Sequence, residues 1–101
     1  DPAVAKTRIA DGYLQLGLLD QAEVYYDDVL DKKPYKYALF GKLRLLKSRD
    51  TADEETIIAH AAKIFKQLFH LGSNDTRILN EYKTFKKHYP GFKDIFPMSR
   101  N

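Results

Sequence analysis

Apolar residues recur along this chain at intervals of three and four, the spacing that gathers them on one face of an α-helix. Ile9, Tyr13 and Leu16 form the first such stripe and predict a helix from about residue 3 to 16, which Gly17 ends. Asp20 follows where an N-cap would stand, with Glu23 three residues on as in a capping box. Ala22, Tyr25, Tyr26, Val29 and Leu30 then complete an amphipathic face that stops before Pro34. A third helix is predicted from about Tyr35 to Lys47, its stripe made of Leu39, Leu43 and Leu46, with Lys47 and Arg49 suiting its C-terminal end. Ser48 to Glu55 reads as a polar loop. Inside it, Thr51-Ala52-Asp53-Glu54 matches a capping box for a fourth helix in which Ile58, Ala61, Ala62, Phe65 and Phe69 share a face. Gly72 closes that helix. A fifth starts near Asp75 and aligns Ile78, Tyr82, Phe85 and Tyr89 until Tyr89-Pro90-Gly91 breaks it. No segment alternates as a strand does. The expected fold is therefore all-α, with about five helices whose short connections make neighbours antiparallel.

Composition narrows the functional classes. The 101 residues suit one domain, and 44% hydrophobic with 31% charged residues is an ordinary globular balance. The absence of Cys excludes disulfide frameworks, thiolate metal sites and cysteine nucleophiles. No apolar run is long enough to span a bilayer. Asp1-Pro2-Ala3-Val4 carries neither an initiator Met nor a signal pattern, so the chain is expected to be a piece of a longer protein. Localisation then rests on the remainder of that protein, with the cytoplasm favoured.

The net charge of +3 conceals an asymmetry. Residues 1–31 hold seven acids against Lys6 and Arg8, whereas residues 32–101 hold 15 Lys or Arg against seven acids. Such a split either steers an acidic partner or reflects solvated faces of a helical stack; the second reading is preferred.

Between Ile9 and Pro34 the residues resemble a tetratricopeptide repeat, a helix-turn-helix unit of 34 residues. Ile9-Ala10-x2-Tyr13 fits the leucine, small residue and tyrosine of the family's first helix. Gly17 falls at the turn, Ala22-x3-Tyr26 fits the small-then-aromatic pair of the second helix, and Pro34 takes the place of the terminal proline. Lys6 replaces the family's early aromatic. The resemblance is good over residues 3–36 and weak over 37–72, where Ala61-x3-Phe65 and Leu68 echo Ala22-x3-Tyr26 and Val29 but the loop around Asp50 to Glu55 is too long for a tight turn. It implies antiparallel hairpins stacked as a short right-handed superhelix: repeat one at 1–34, a degenerate repeat at 35–72, and a capping helix with a tail at 73–101. Ile9, Ala10, Tyr13, Ala22, Tyr26, Val29, Pro34, Ala61 and Phe65 would be its packing positions. The tail contains the bulky residues Ile95, Phe96 and Met98, and its first half is expected to pack.

Catalytic chemistry has no candidate residues. His60, His70 and His88 are spaced for no metal-binding helix face. Asp27 and Asp28 point about 100° apart on a helix, and Asp53, Glu54 and Glu55 sit at a helix start where negative charge is stabilising. No glycine-rich phosphate loop is present, so no cofactor is expected. Lys42, Arg44, Lys47 and Arg49 cluster near one helix end; Lys83, Lys86, Lys87 and Lys93 near another, interleaved with Tyr82, Phe85 and Tyr89, as nucleic-acid binding would use them. Those aromatics are already assigned to packing, which makes a basic nucleic-acid module the weaker alternative. The tetratricopeptide resemblance instead implies a non-catalytic protein-protein interaction module whose groove accepts a peptide or helix, with Val4, Thr7, Asp11, Leu14 and Gln15 facing it. Asp11 stands where some members begin a clamp for a C-terminal carboxylate, and its charge should repel one. A scaffold or self-association domain is the second expectation.

Overall fold

A computed structural model describes residues 1–49 and 53–92 of the chain. It is all-α, with helices α1 (Pro2–Gln15), α2 (Leu19–Lys32), α3 (Lys36–Ser48), α4 (Glu54–Leu71) and α5 (Thr76–His88), and no strand among the described residues. Contacts divide the chain into two compact units, Asp1–Thr51 and Ala52–Asn101. The first gathers α1, α2 and α3; the second holds α4 and α5. This boundary falls within the segment that the repeat assignment places at 35–72.

Helix ends follow local chemistry. Asp1 caps α1 by accepting from the Ala3 amide at 3.0 Å, and Pro2 costs nothing in the first turn, where its missing N–H has no intrahelical partner. Gly17 adopts φ +79°, a left-handed conformation that a side chain resists, and this reverses the chain in three residues. The predicted capping box at Asp20 and Glu23 does not form. α2 begins two residues earlier than it requires, with Leu18 in the cap position, so Asp20 lies in the first turn. Glu23 reaches instead for cations on α3. Asp53 caps α4 through the Thr56 amide at 2.7 Å; the Thr51 expected to begin that cap lies outside the described residues. Asp75 caps α5 through the amides of Arg77 and Ile78.

In the first unit, α1 and α2 are antiparallel, because Lys6 at the start of α1 pairs with Asp28 near the end of α2. Their shared surface is built on small residues. Ala10 and Ala22 are completely buried, Ala3, Thr7, Tyr26 and Val29 join them, and Tyr13, Leu14, Tyr25 and Leu30 are partly buried around this core. Alanines let two helix backbones approach closely, so the larger side chains fill the space beside them. Tyr13 and Tyr25 stack at 5.8 Å. The α1 stripe drawn from apolarity alone is corrected here: Ile9 is 45% and Leu16 74% exposed, while the buried face is Ala3, Thr7 and Ala10. The interface selects residues by their smallness, which hydropathy does not register.

α3 runs antiparallel to α2 and presents Ala38, Gly41 and Leu45 on the side facing the first two helices. The predicted residues Leu39 and Leu43 are also buried, on another side of the helix, and Leu46 is half-buried. α3 is therefore apolar on two sides, and a single stripe described half of it.

The second unit has an aromatic core. Phe65 meets Tyr82 at 5.3 Å, Phe85 at 5.7 Å and Phe92 at 5.9 Å, all tilted or edge-on, geometries that suit the ring quadrupoles. Ile57, Ile64 and Leu68 are buried alongside the expected Ala61, Phe65 and Phe69, while Ile58 and Ala62 are half-buried. Phe92 packs as the start of the tail was expected to; Ile95, Phe96 and Met98 lie outside the described residues.

Candidate functional site

The five residues expected to face a partner lie on one side of α1 at different depths. Val4 and Leu14 are half-buried, and Gln15 is exposed. Thr7 is only 4% exposed, because the spacing Ala3, Thr7, Ala10 places it on the α2-facing side, and its hydroxyl finds no hydrogen-bond partner among the described residues. Leu14 likewise packs against the core. The accessible part of the site is thus Val4, Asp11 and Gln15, with Thr7 and Leu14 beneath it.

Asp11 is the electrostatic centre of this face. One of its carboxylate oxygens accepts hydrogen bonds from the Tyr26 hydroxyl and from Arg44 at 3.1 Å. Three helices therefore converge on one carboxylate. Gly41 makes the convergence possible: a Cβ at this position would clash with the edge of the Tyr26 ring, so glycine allows α3 this close to α2. Burial pushes the Tyr26 hydroxyl up to about 12, and the neighbouring Asp11 carboxylate adds to the shift while Arg44 opposes it. Tyr26 consequently stays a neutral donor at any physiological pH.

α2 and α3 are further joined by ion pairs. Lys42 bridges Glu23 at 3.2 Å and Asp27 at 2.7 Å, and Arg49 bridges Glu23 at 2.7 Å and Asp20 at 3.3 Å. Asp28 points the other way, to Lys6, whose ammonium holds that carboxyl below its ordinary value. Asp27 and Asp28 thus diverge as their helical spacing requires. The acidic first two helices and the basic third neutralise each other inside this unit, and sequence reading saw the charge split without its pairing.

A cleft of about 260 Å³ opens between the start of α1 and the end of α2, where Lys6, Asp28, Lys32 and Lys33 stand over Ala3 and Val29. Both signs of charge line it, and Lys6 is already paired with Asp28. Among the described residues, no three His, Asp or Glu side chains are placed to hold a metal ion. His60, His70 and His88 are exposed. No described helix is long and apolar enough to cross a membrane. The basic residues near the end of α3 are largely engaged, and Tyr82 and Phe85 are buried, with Tyr89 tilted against Phe85 at 4.7 Å. Lys93 lies outside the described residues.

Sequence reasoning missed Gly41 and Arg44 as partners of Tyr26 and Asp11. A glycine within an otherwise helical run of large apolar residues was the available signal. No protein-family model, curated protein or solved structure matches the chain.

Proposed function

We propose that the chain is a non-catalytic interaction module of tetratricopeptide type that accepts a peptide or helix from a partner protein. One observation supports this reading above the others: α3 runs alongside α1 in the same direction, both antiparallel to α2 and joined by Arg44 and Asp11. Parallel first helices side by side are how that family lines its groove. On this reading Val4, Asp11 and Gln15 contact the partner, Leu14 forms the floor, and the Tyr26 hydroxyl with Arg44 fixes the Asp11 carboxylate in one orientation. A pre-ordered surface of this kind loses little entropy on binding.

Peptide display against the folded chain tests the reading. Selected peptides should bind with a micromolar Kd and lose affinity about tenfold, or about 1.4 kcal/mol, on Val4→Asp or Gln15→Arg. Selection of peptides indifferent to both substitutions would overturn it. Asp11 also bears on the choice of ligand. Its carboxylate faces the approach of another carboxylate, so a pentapeptide with an acidic C-terminus should show no micromolar binding by calorimetry; a measurable isotherm would remove Asp11 from its assigned role.

A further inference from the structure

On the side of α1 away from α2 lie Ala5, Ile9, Gly12 and, at its C-cap, Leu16, all exposed, within about 60° of arc at the helical repeat. This stripe lies outside the groove-facing set and carries no charge. Two of its residues are large aliphatics open to water, at 45% for Ile9 and 74% for Leu16. The other two are small. Gly12 is notable because a glycine inside a helix is unfavourable unless something approaches closely, and an added Cβ there would meet nothing within 4 Å among the described residues. Packing among the described residues makes no use of that glycine.

The spacing of the four residues is 4, 3, 4, which reads the same in both directions. A two-fold axis passing between Ala10 and Asp11 would lay a second α1 antiparallel on the first. It would set Ile9 against Gly12 of the second copy and Leu16 against Ala5 of the second copy. Each large side chain then meets a small one, twice over, which is the self-complementarity that an isologous contact needs. We propose that this face is the contact surface of an antiparallel homodimer, with Ile9 and Leu16 of each copy seated over Gly12 and Ala5 of the other. The contact runs along one helix of 14 residues, about 21 Å at 1.5 Å per residue. Its area lies at the low end of specific interfaces, below roughly 1,200 Å² in total, so the dimer is a weak, concentration-dependent one.

Sedimentation velocity over a range of concentrations reads the association directly. The expected result is a shift from 11.7 kDa toward twice that mass as concentration rises into the high micromolar range. Filling the small position with Gly12→Leu, or charging the large one with Ile9→Asp, should weaken the dimer at least tenfold while circular dichroism stays that of the folded chain. Gly12→Ala separates the two possible uses of the glycine: it should raise Tm through helix propensity yet still weaken self-association. The chain has no Cys, which makes register testable by oxidation. Ala5→Cys combined with Leu16→Cys should give an intermolecular disulfide, whereas Ala5→Cys alone should not. A monomer at every concentration overturns the proposal; so does a dimer indifferent to Gly12→Leu and Ile9→Asp, or one that oxidises as readily through Ala5→Cys alone. None of these outcomes bears on the groove, whose tests use Val4 and Gln15.

Discussion

At the scale of single residues, the first unit turns on Tyr26, which is completely buried and gives its hydroxyl hydrogen to Asp11. Gly41 leaves the space the ring occupies. Gly41→Ala should therefore force the ring or the helix aside and cost about 2 kcal/mol, in the range of overpacked cores, despite alanine being the better helix former. Chemical denaturation would measure it, and an unchanged midpoint would mean that α3 can retreat freely. Tyr26 also predicts a pH response. Its folded value, about 12, lies above the unfolded value near 10. Its contribution to stability is thus complete below pH 10 and is lost as pH rises from 10 to 12, because the unfolded chain then holds fewer protons than the folded one. Absorbance titration near 295 nm should show Tyr26 ionising late, and Tyr26→Phe should diminish the late component together with the excess loss of stability above pH 10.

At the scale of helices, α2 and α3 are held by the ladder of Asp20, Glu23 and Asp27 against Lys42 and Arg49. Partly exposed pairs contribute about 0–1 kcal/mol each, more when shared in a network. Glu23 takes two cations, so Glu23→Gln should cost about 1 kcal/mol at low ionic strength and much less in 1 M salt, where screening shortens to about 3 Å. A penalty that persists in high salt would point to packing instead. Helix existence was legible from periodicity throughout, and the ends at Gly17, Asp75 and Gly72 followed from single residues with one strong conformational preference. Which face of a helix is buried was legible for α2 and α5, whose large residues line one side. It was not legible for α1, where Ala3, Thr7 and Ala10 are chosen over Ile9 and Leu16 because close approach rewards small side chains. Nor was it legible for α3, whose apolar residues occur on several sides. The Asp11 site was half visible: the tetratricopeptide resemblance singled out Asp11, but the residues that hold its carboxylate come from helices 15 and 33 positions away, a separation no local pattern carries.

At the scale of the whole molecule, the charge asymmetry between residues 1–31 and 32–101 resembles a device for recruiting polyanions, and the ion pairs of the first unit argue against that use for its share of the basic residues. In the first unit Lys6, Lys33, Lys42, Arg44 and Arg49 each meet a carboxylate. Phosphate binding draws its strength from releasing counterions, with log K falling against log salt by about 0.7 per phosphate neutralised on a single strand. A cation already paired with a carboxylate releases few. The aromatics interleaved with the lysines of α5 are also spent, since Tyr82 and Phe85 are buried in the core of the second unit. Binding of a single-stranded 20-mer should accordingly be weak, and its salt slope should stay shallower than about −2, equivalent to roughly three phosphates. Fluorescence anisotropy over a series of salt concentrations gives that slope. A value of −4 or steeper would show that the basic residues act together on a nucleic acid, and would displace a protein partner as the ligand of this chain.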